Sequence, residues 1–221
     1  MKIEADPRDQ SLAVQAYRQI EELIVRLELA PGLPISENAL STRLGIGRTP
    51  IREALHRLER EGLVLISPRR GIFVTDIRVD AQLRLLEVRR SLERLMSTRA
   101  ARMASANERQ RFTEIAVEMH EAGNSDDDVA FLKLDREFNQ LVARASHNEF
   151  ATSAINLTGG LSRRFWFRYY RAMADLPRSC MLHAEIASEI AKGNVEGAGA
   201  ASDRLIDYIE LFTRSVFESV S

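Results

Sequence analysis

Hydrophobic residues in the first third of the 221-residue chain recur every three or four positions in three short segments, 11–29, 36–44 and 50–61. An apolar stripe with this period is typical of a helix that buries one face. Two β-prone runs, 63–67 and 72–75, come next and are separated by a basic turn. We therefore predict three helices and then a β-hairpin in this part of the chain.

The third helical segment follows a turn with two glycines, Gly45-Ile46-Gly47, and begins beside two arginines, Arg48 and Arg52. Thr49 can serve as the N-cap residue, and Pro50 suits the first helical position because its missing N–H has no helical partner there. The apolar face of this segment leaves both arginines pointing elsewhere. An ordinary surface helix with solvated arginines has the same pattern, so the neighbouring elements decide its interpretation.

From about residue 80 onward, strand patterns vanish and longer helical periods take over. Five breaks interrupt these periods, near residues 105–107, 123–128, 146–148, 175–177 and 193–194. We therefore predict six helices and no sheet in this part of the chain.

The composition narrows the possible function classes. A hydrophobic fraction of 45% is enough for the cores of two domains, and a net charge of −1 argues against a protein that coats nucleic acid through bulk positive charge. Between Arg43 and Arg70, however, seven arginines face three glutamates, which leaves a local excess of four positive charges. The single cysteine, Cys180, excludes an internal disulfide, and no run resembles a secretory signal or a membrane span. We expect a cytoplasmic protein of bacterial type.

Three helices followed by a hairpin with a basic tip have the order of a winged helix-turn-helix. Such a module places its second motif helix in the major groove of DNA, where arginine can pair with guanine through two hydrogen bonds. We therefore predict a mainly α protein with a winged helix-turn-helix domain over residues 1–77 and an all-α helical-bundle domain over residues 78–221.

The run from Ile20 to Val74 closely resembles the N-terminal domain of GntR-type bacterial transcription regulators. The motifs that carry the resemblance are Leu-Ala-Pro-Gly at 29–32, Leu-Gly-Ile-Gly-Arg-Thr-Pro-Ile-Arg-Glu-Ala-Leu at 44–55, Leu-Glu-Arg-Glu-Gly-Leu at 58–63 and Arg-Gly-Ile-Phe-Val at 70–74. The resemblance implies that Arg48, Thr49 and Arg52 contact DNA in the major groove. It also implies that the turn at Arg70-Gly71 enters the minor groove.

Two residues depart from the family pattern: Gly47 stands where a hydroxyl residue is common, and Asn38 where a basic residue is sometimes found. Both changes predict fewer phosphate contacts at these positions. Arg57 and Arg60 lie later along the helix beside acidic residues, so we expect them to form surface ion pairs.

The helical region, which opens with Leu86–Glu93, resembles the ligand-binding and dimerising FCD domain of the FadR-like subfamily of these regulators. The resemblance implies a small-molecule effector, a homodimer and, in many such domains, a divalent metal on one Asp and three His. Asp135 and His183 match two of these ligands, whereas Asn139 and Leu205 stand where the other two histidines are expected. No cofactor is therefore certain. Two readings stay open: a weakly bound divalent metal completed by water, effector oxygens or Asn139, or a buried hydrogen-bonded cluster that binds the effector itself.

Arg89 is a further candidate for effector binding because the helical period turns it toward the core. A guanidinium without a carboxylate partner would bind an anionic ligand, whereas a partner in Asp135 or a neighbouring glutamate would make it structural. The aromatic and basic run 163–171 has two interpretations as well. Its aromatic residues pack inside while some arginines stay solvated, or they form a lid over the effector.

Together these patterns predict a sequence-specific transcription regulator, in particular a repressor, that binds double-stranded operator DNA as a homodimer and responds to an organic acid. Two alternatives remain: a constitutive DNA-binding regulator whose pocket is filled by side chains such as Leu205, and a metal-dependent enzyme built in the helical domain. The second alternative lacks a recognisable nucleophile with an adjacent base, so we expect no enzymatic activity.

Overall fold

The computed structural model describes residues 11–173 and 175–220 and forms two compact units. Unit 1 contains the described residues up to Arg78 together with Asn156–Arg168, and unit 2 contains Val79–Ile155 and the described residues from Tyr169 onward. The elements of unit 1 before residue 79 are α1 (Leu12–Val25), β1 (Pro34–Ile35), α2 (Glu37–Leu44), α3 (Arg48–Arg60), β2 (Val64–Ser67) and β3 (Gly71–Val74).

The three helices and the β2–β3 hairpin confirm the predicted winged helix-turn-helix order. Strand β3 lies in the middle of a three-stranded antiparallel sheet, with Val64 of β2 opposite Val74. Strand β1 pairs with its other edge through Pro34 opposite Phe73. The sequence did not indicate β1, because two residues are too few to show the period of a strand.

The core of unit 1 is formed by the apolar stripes that predicted its helices. Ile20 and Ile24 of α1 and Ile51, Leu55 and Leu58 of α3 are fully buried in one hydrophobic cluster. The hairpin closes this cluster with further buried residues, Leu63, Val64 and Val74. The helix that carries the two candidate arginines is therefore fixed by its opposite face.

The described residues from Val79 onward confirm the predicted six helices. They are α4 (Val79–Met103), α5 (Ala106–Asn124), α6 (Asp128–Ala145), α7 (Glu149–Met173), α8 (Leu176–Lys192) and α9 (Val195–Val220). Side-chain caps explain several of the breaks: Ser105 forms a capping box with Glu108, and Asp127 and Asp175 accept hydrogen bonds from the first turns of α6 and α8. Helix α8 ends at Gly193, which has the left-handed backbone that favours glycine.

Helix α7 contributes its residues 156–168 to unit 1, although the sequence placed them in the second domain. Leu161 packs against the unit 1 core, and Arg163 pairs with Glu21 of α1. Arg164, one of the arginines in the aromatic and basic run, is only 2% exposed. The proposed boundary between residues 77 and 78 stays a prediction.

Candidate nucleic-acid interface and effector site

A tight turn joins α2 to α3. Ser36 caps the start of α2 by accepting a hydrogen bond from the Ala39 N–H, and Gly45 ends the helix with a φ of 65°. The Ser41 hydroxyl then donates to the carbonyl of Ile46 at 2.7 Å. These local contacts fix the position at which α3 begins.

Helix α3 begins two residues earlier than predicted. Gly47 is its N-cap, and Arg48 is its first helical residue, so the expected N-cap role of Thr49 is wrong. Pro50 occupies the third helical position, where the backbone N–H has no partner within the helix and the loss is tolerated. Gly47 provides no side-chain hydrogen bond, so the sequence carries no polar residue that marks this helix start.

Arg48 and Arg52 extend from the first turns of α3, with side chains 62% and 55% exposed. Arg52 donates from Nε to Glu37 Oε1 at 3.0 Å and from Nη2 to Glu37 Oε2 at 2.8 Å. Arg48 Nη2 lies 3.9 Å from Glu37 Oε2. The Arg52 hydrogen bond holds the pKa of Glu37 below its ordinary value, so the carboxylate stays ionised beside both guanidinium groups.

Sequence reasoning missed Glu37. The one local signal is its place directly after the Ser36 cap, where an acidic residue is favoured by the helix dipole, and this signal does not point to a contact with α3. Fifteen residues separate it from Arg52, so no helical period connects the two.

The other residues of the predicted DNA interface are also exposed. Thr49 is exposed on α3, and Arg70 and Gly71 are exposed at the tip of the hairpin. Gly71 has a φ of 101°, and the Arg70 N–H donates to the Ser67 carbonyl at 3.2 Å to close the turn. The tip therefore presents Arg70 on a backbone that its own hydrogen bond holds in place.

The later arginines of α3 differ from one another. Arg57 donates to Glu61 at 3.0 Å and lies 3.6 Å from the centre of the Tyr17 ring, which confirms an ion-pairing role. Within the described part of the chain, Arg60 has no ion pair, so the same expectation is wrong for it.

In unit 2, Asp135 of α6 and His183 of α8 are both buried and lie together. His183 Nε2 is 3.3 Å from Asp135 Oδ1, and Asn139 Nδ2 donates to the same oxygen at 2.8 Å. His183 Nδ1 donates to the Ser179 carbonyl at 2.8 Å. Since a carbonyl and an ionised carboxylate only accept hydrogen bonds, this arrangement fits an imidazolium that donates from both nitrogens.

Two opposing effects act on the pKa of His183. Burial alone lowers it, but the hydrogen bond and the charge of Asp135, helped by the Ser179 carbonyl, raise it above its ordinary value. The rings of Phe131 and Phe138 lie edge-on to the imidazole, with centroids 5.4 and 5.9 Å away. The cluster is thus a buried, hydrogen-bonded pair of Asp135 and His183 with two aromatic rings against the imidazole.

Arg89 has a carboxylate partner. Its Nε donates to Glu93 Oε1 at 2.6 Å, and both side chains are largely buried. The prediction that Arg89 binds an anionic effector required a guanidinium without a carboxylate partner. Because Arg89 pairs with Glu93, the structural interpretation of Arg89 applies instead. Leu205 is buried in α9. Among residues 11–173 and 175–220, no three His, Cys, Asp or Glu side chains are grouped to hold a metal ion.

Comparison with known proteins matches both parts of the chain. Residues 12–74 match the family described as bacterial regulatory proteins, gntR family, and residues 84–208 match the FCD domain. The chain belongs to the GntR family of bacterial transcription regulators. The matches and the named relatives make it a regulator and not an enzyme.

Relatives and solved structures agree with this assignment. The HTH-type transcriptional repressor RspR of Escherichia coli K12 is 30% identical over 91% of this chain and 89% of its own length. An HTH-type regulator of Bacillus subtilis, YdhC, is 27% identical over 84% of this chain and 83% of its own length. The structure of E. coli McbR/YncC covers 94% of this chain and 99% of that protein with a TM-score of 0.78 at 17% identity, which supports the fold.

A membrane-spanning helix would need a long apolar stretch, and none of the helices described here has one.

Proposed function

We propose that this GntR-family regulator is a sequence-specific repressor that binds operator DNA in the bacterial cytoplasm and responds to an organic acid. The observation that carries the DNA-binding part is the exposed pair Arg48 and Arg52 at the start of α3. A repressor role is supported by the relative RspR, which is named as a transcriptional repressor.

Arg48, Thr49 and Arg52 contact base edges and phosphates in the major groove, and Arg70-Gly71 enters the minor groove. This assignment is supported by the exposure of all five residues and by the buried opposite face of α3. Arginine is suited to guanine because its planar group donates to O6 and N7 together.

The protein acts as a homodimer on a palindromic operator. One winged module reads one half-site, and a two-fold axis in the protein matches the symmetry of the DNA. The match of residues 84–208 to the FCD domain supports this proposal, since the resemblance to such domains implies dimerisation.

The effector binds at Asp135, Asn139 and His183. An organic acid binds here by taking the place of the Asp135 carboxylate, which accepts from His183 Nε2 and from the Asn139 amide. Arg89 contributes only if it exchanges Glu93 for the ligand. A divalent metal on Asp135 and His183 remains the alternative ligand, which requires His183 to release its Nε2 proton and needs further oxygen donors.

The test begins with selection of duplexes from a random-sequence pool by the full-length protein. We expect a palindromic duplex to be enriched, and enrichment of no sequence would contradict sequence-specific binding. The selected duplex is then titrated with protein in the presence of a panel of organic acids. A change in affinity with one acid supports the effector proposal, whereas no response across the panel and no thermal stabilisation by any acid would favour a constitutive regulator.

Metal content is measured on protein purified without chelators or a histidine tag. Substoichiometric metal throughout purification supports the hydrogen-bonded cluster. A full equivalent of one metal, lost in Asp135→Asn, would favour the metal site instead.

A further inference from the structure

Glu37 lies in the DNA-reading part of unit 1 but has no assigned role. It is the first residue of α2, directly after the Ser36 cap, and its side chain is only 20% exposed. Its two carboxylate oxygens accept from two nitrogens of the same arginine, Arg52, at 3.0 and 2.8 Å. Such a double hydrogen bond fixes the plane of the guanidinium as well as its position.

We propose that Glu37 is a positioning residue for DNA recognition, which holds Arg52 ready for a guanine and keeps the basic surface from binding DNA without regard to sequence. The inference rests on the proposed sequence-specific DNA binding. It adds a residue outside the recognition helix that determines specificity.

The geometry leaves Arg52 able to read a base. Glu37 takes the Nε–H and one Nη2–H, so both hydrogens of Nη1 and the second hydrogen of Nη2 remain among the five donors of the group. The remaining Nη1 and Nη2 donors form the end-on fork that matches O6 and N7 of guanine. Glu37 therefore occupies one side of the guanidinium and leaves its end available.

The Glu37–Arg52 contact favours DNA binding because it orders the Arg52 side chain beforehand. Arg52 is 55% exposed and has a long flexible side chain, which without Glu37 would sample many rotamers. Binding to DNA would then cost the entropy of ordering it. Glu37 restricts the side chain before the DNA arrives.

The charge of Glu37 acts in the same direction. Its Oε2 lies 2.8 Å from Arg52 Nη2 and 3.9 Å from Arg48 Nη2, so its negative charge lowers the net positive charge of this surface. Phosphate binding that ignores sequence depends on net positive charge, and an acidic group weakens it. The hydrogen bonds from the free Nη1 and Nη2 donors of Arg52 to a guanine are still formed when Glu37 is present. The ratio of specific to non-specific affinity is therefore higher with Glu37 present.

The opposite role is that Glu37 competes with DNA for Arg52. In that case, removing the carboxylate would strengthen binding to the operator. The two roles predict opposite signs for one measurement.

The experiment compares Glu37→Gln with the matched control Glu185→Gln in the full-length protein. Glu185 of α8 accepts the same kind of fork from Arg204, through Nε at 3.2 Å and Nη2 at 2.6 Å, and lies in unit 2. Binding is measured by fluorescence anisotropy at one salt concentration. The probes are the duplex that the wild-type protein selects and a scrambled duplex of the same composition.

We expect Glu37→Gln to bind the selected duplex about tenfold more weakly and the scrambled duplex as tightly as the wild type or more tightly. Glu185→Gln should change neither affinity. Tighter binding of Glu37→Gln to the selected duplex, or unchanged binding to both duplexes, would overturn the proposal. If the wild-type protein selects no duplex, the proposed function fails before this comparison is made.

A double-mutant cycle separates positioning from a general effect on α2. In an Arg52→Ala background, Glu37→Gln should cause no further loss on the selected duplex, since the group it positions is gone. An undiminished loss in that background would contradict the proposal. Glu37→Asp, which keeps the charge but shortens the side chain, serves as a second variant if Glu37→Gln does not fold, with the same weakening expected.

Discussion

Arg164 fixes part of α7 in unit 1, although residues 156–168 of that helix were predicted to belong to the second domain. Its Nη1 donates to the Thr75 carbonyl at 2.8 Å, and its Nη2 donates to the Thr75 hydroxyl and the Asp76 carbonyl at 3.1 and 3.2 Å. Burial lowers the pKa of this arginine to about 10, against the opposing effect of the Asp76 charge. The side chain thus connects the chain after the wing to α7 within unit 1.

Replacing Arg164 with Met should destabilise unit 1 by about 3 kcal/mol, because the Thr75 and Asp76 carbonyl groups lose the donor that a buried guanidinium supplies. The measurement is urea unfolding followed by the fluorescence of Trp166, the single tryptophan, which lies in unit 1. Arg214→Met is the control, since Arg214 is 59% exposed and pairs with Glu210 on its own helix. Equal unfolding midpoints for the two variants would show that the buried contacts of Arg164 contribute little.

Contacts between individual side chains were the part of the structure that the sequence predicted least. The burial of Arg164 depends on carbonyl groups almost ninety residues earlier in the chain, and the pairing of Arg52 with Glu37 depends on the crossing of two helices. Neither follows from a local period. His183 and Asp135 were correctly placed inside because each lies on an apolar stripe of its own helix.

At the scale of elements, the turn between α2 and α3 depends on one glycine more than on the other. Gly45 has a φ of 65°, and a Cβ added there would meet no atom within 4 Å. A side chain at this position is therefore disfavoured only by the left-handed backbone conformation and not by a clash. Gly47 has an ordinary φ of −58° and lies at the N-cap of α3.

Gly45→Ala should therefore destabilise unit 1 by about 1–2 kcal/mol. Gly47→Ser should leave its stability unchanged or raise it by a few tenths of a kcal/mol, because the serine adds a hydrogen-bonding cap. Thermal unfolding followed by Trp166 fluorescence checks both. A Gly47→Ser protein as unstable as Gly45→Ala would contradict the assignment of these two roles.

Most elements could be predicted because their signals are local. The six helices from Val79 onward were separated correctly because caps and glycines mark the breaks, and the hairpin was predicted from its β-prone runs. Strand β1 was missed because it becomes a strand only by pairing with β3. The early start of α3 was missed because Gly47 caps it without a side-chain signal.

At the scale of the whole molecule, the proposed effector and operator sites are connected by thermodynamic linkage. An organic acid that weakens binding to the selected duplex must itself bind the protein–DNA complex more weakly than the free protein, by the same factor. Calorimetric titration of that acid with and without the duplex measures both affinities. Equal acid affinities, together with an acid-dependent change in DNA affinity, would show that the acid does not act through a site on this protein.

The order of the two domains and the family were predictable from the sequence, since the motif at 44–55 and the long helical periods are contiguous in the chain. The place of residues 156–168 in unit 1 could not be predicted from the sequence. Those residues would be helical in either unit, and only their packing distinguishes the two possibilities.

The central claim is that Arg52 reads DNA at the start of α3. It is tested most directly by titrating the selected duplex with wild-type protein, Arg52→Ala and the control Arg204→Ala, whose arginine has the same double hydrogen bond to a glutamate in unit 2. We expect Arg52→Ala to weaken binding roughly 5- to 150-fold and to relax the preference for one base pair, while Arg204→Ala matches the wild type. An Arg52→Ala protein that binds the selected duplex as tightly as the wild type would contradict the account.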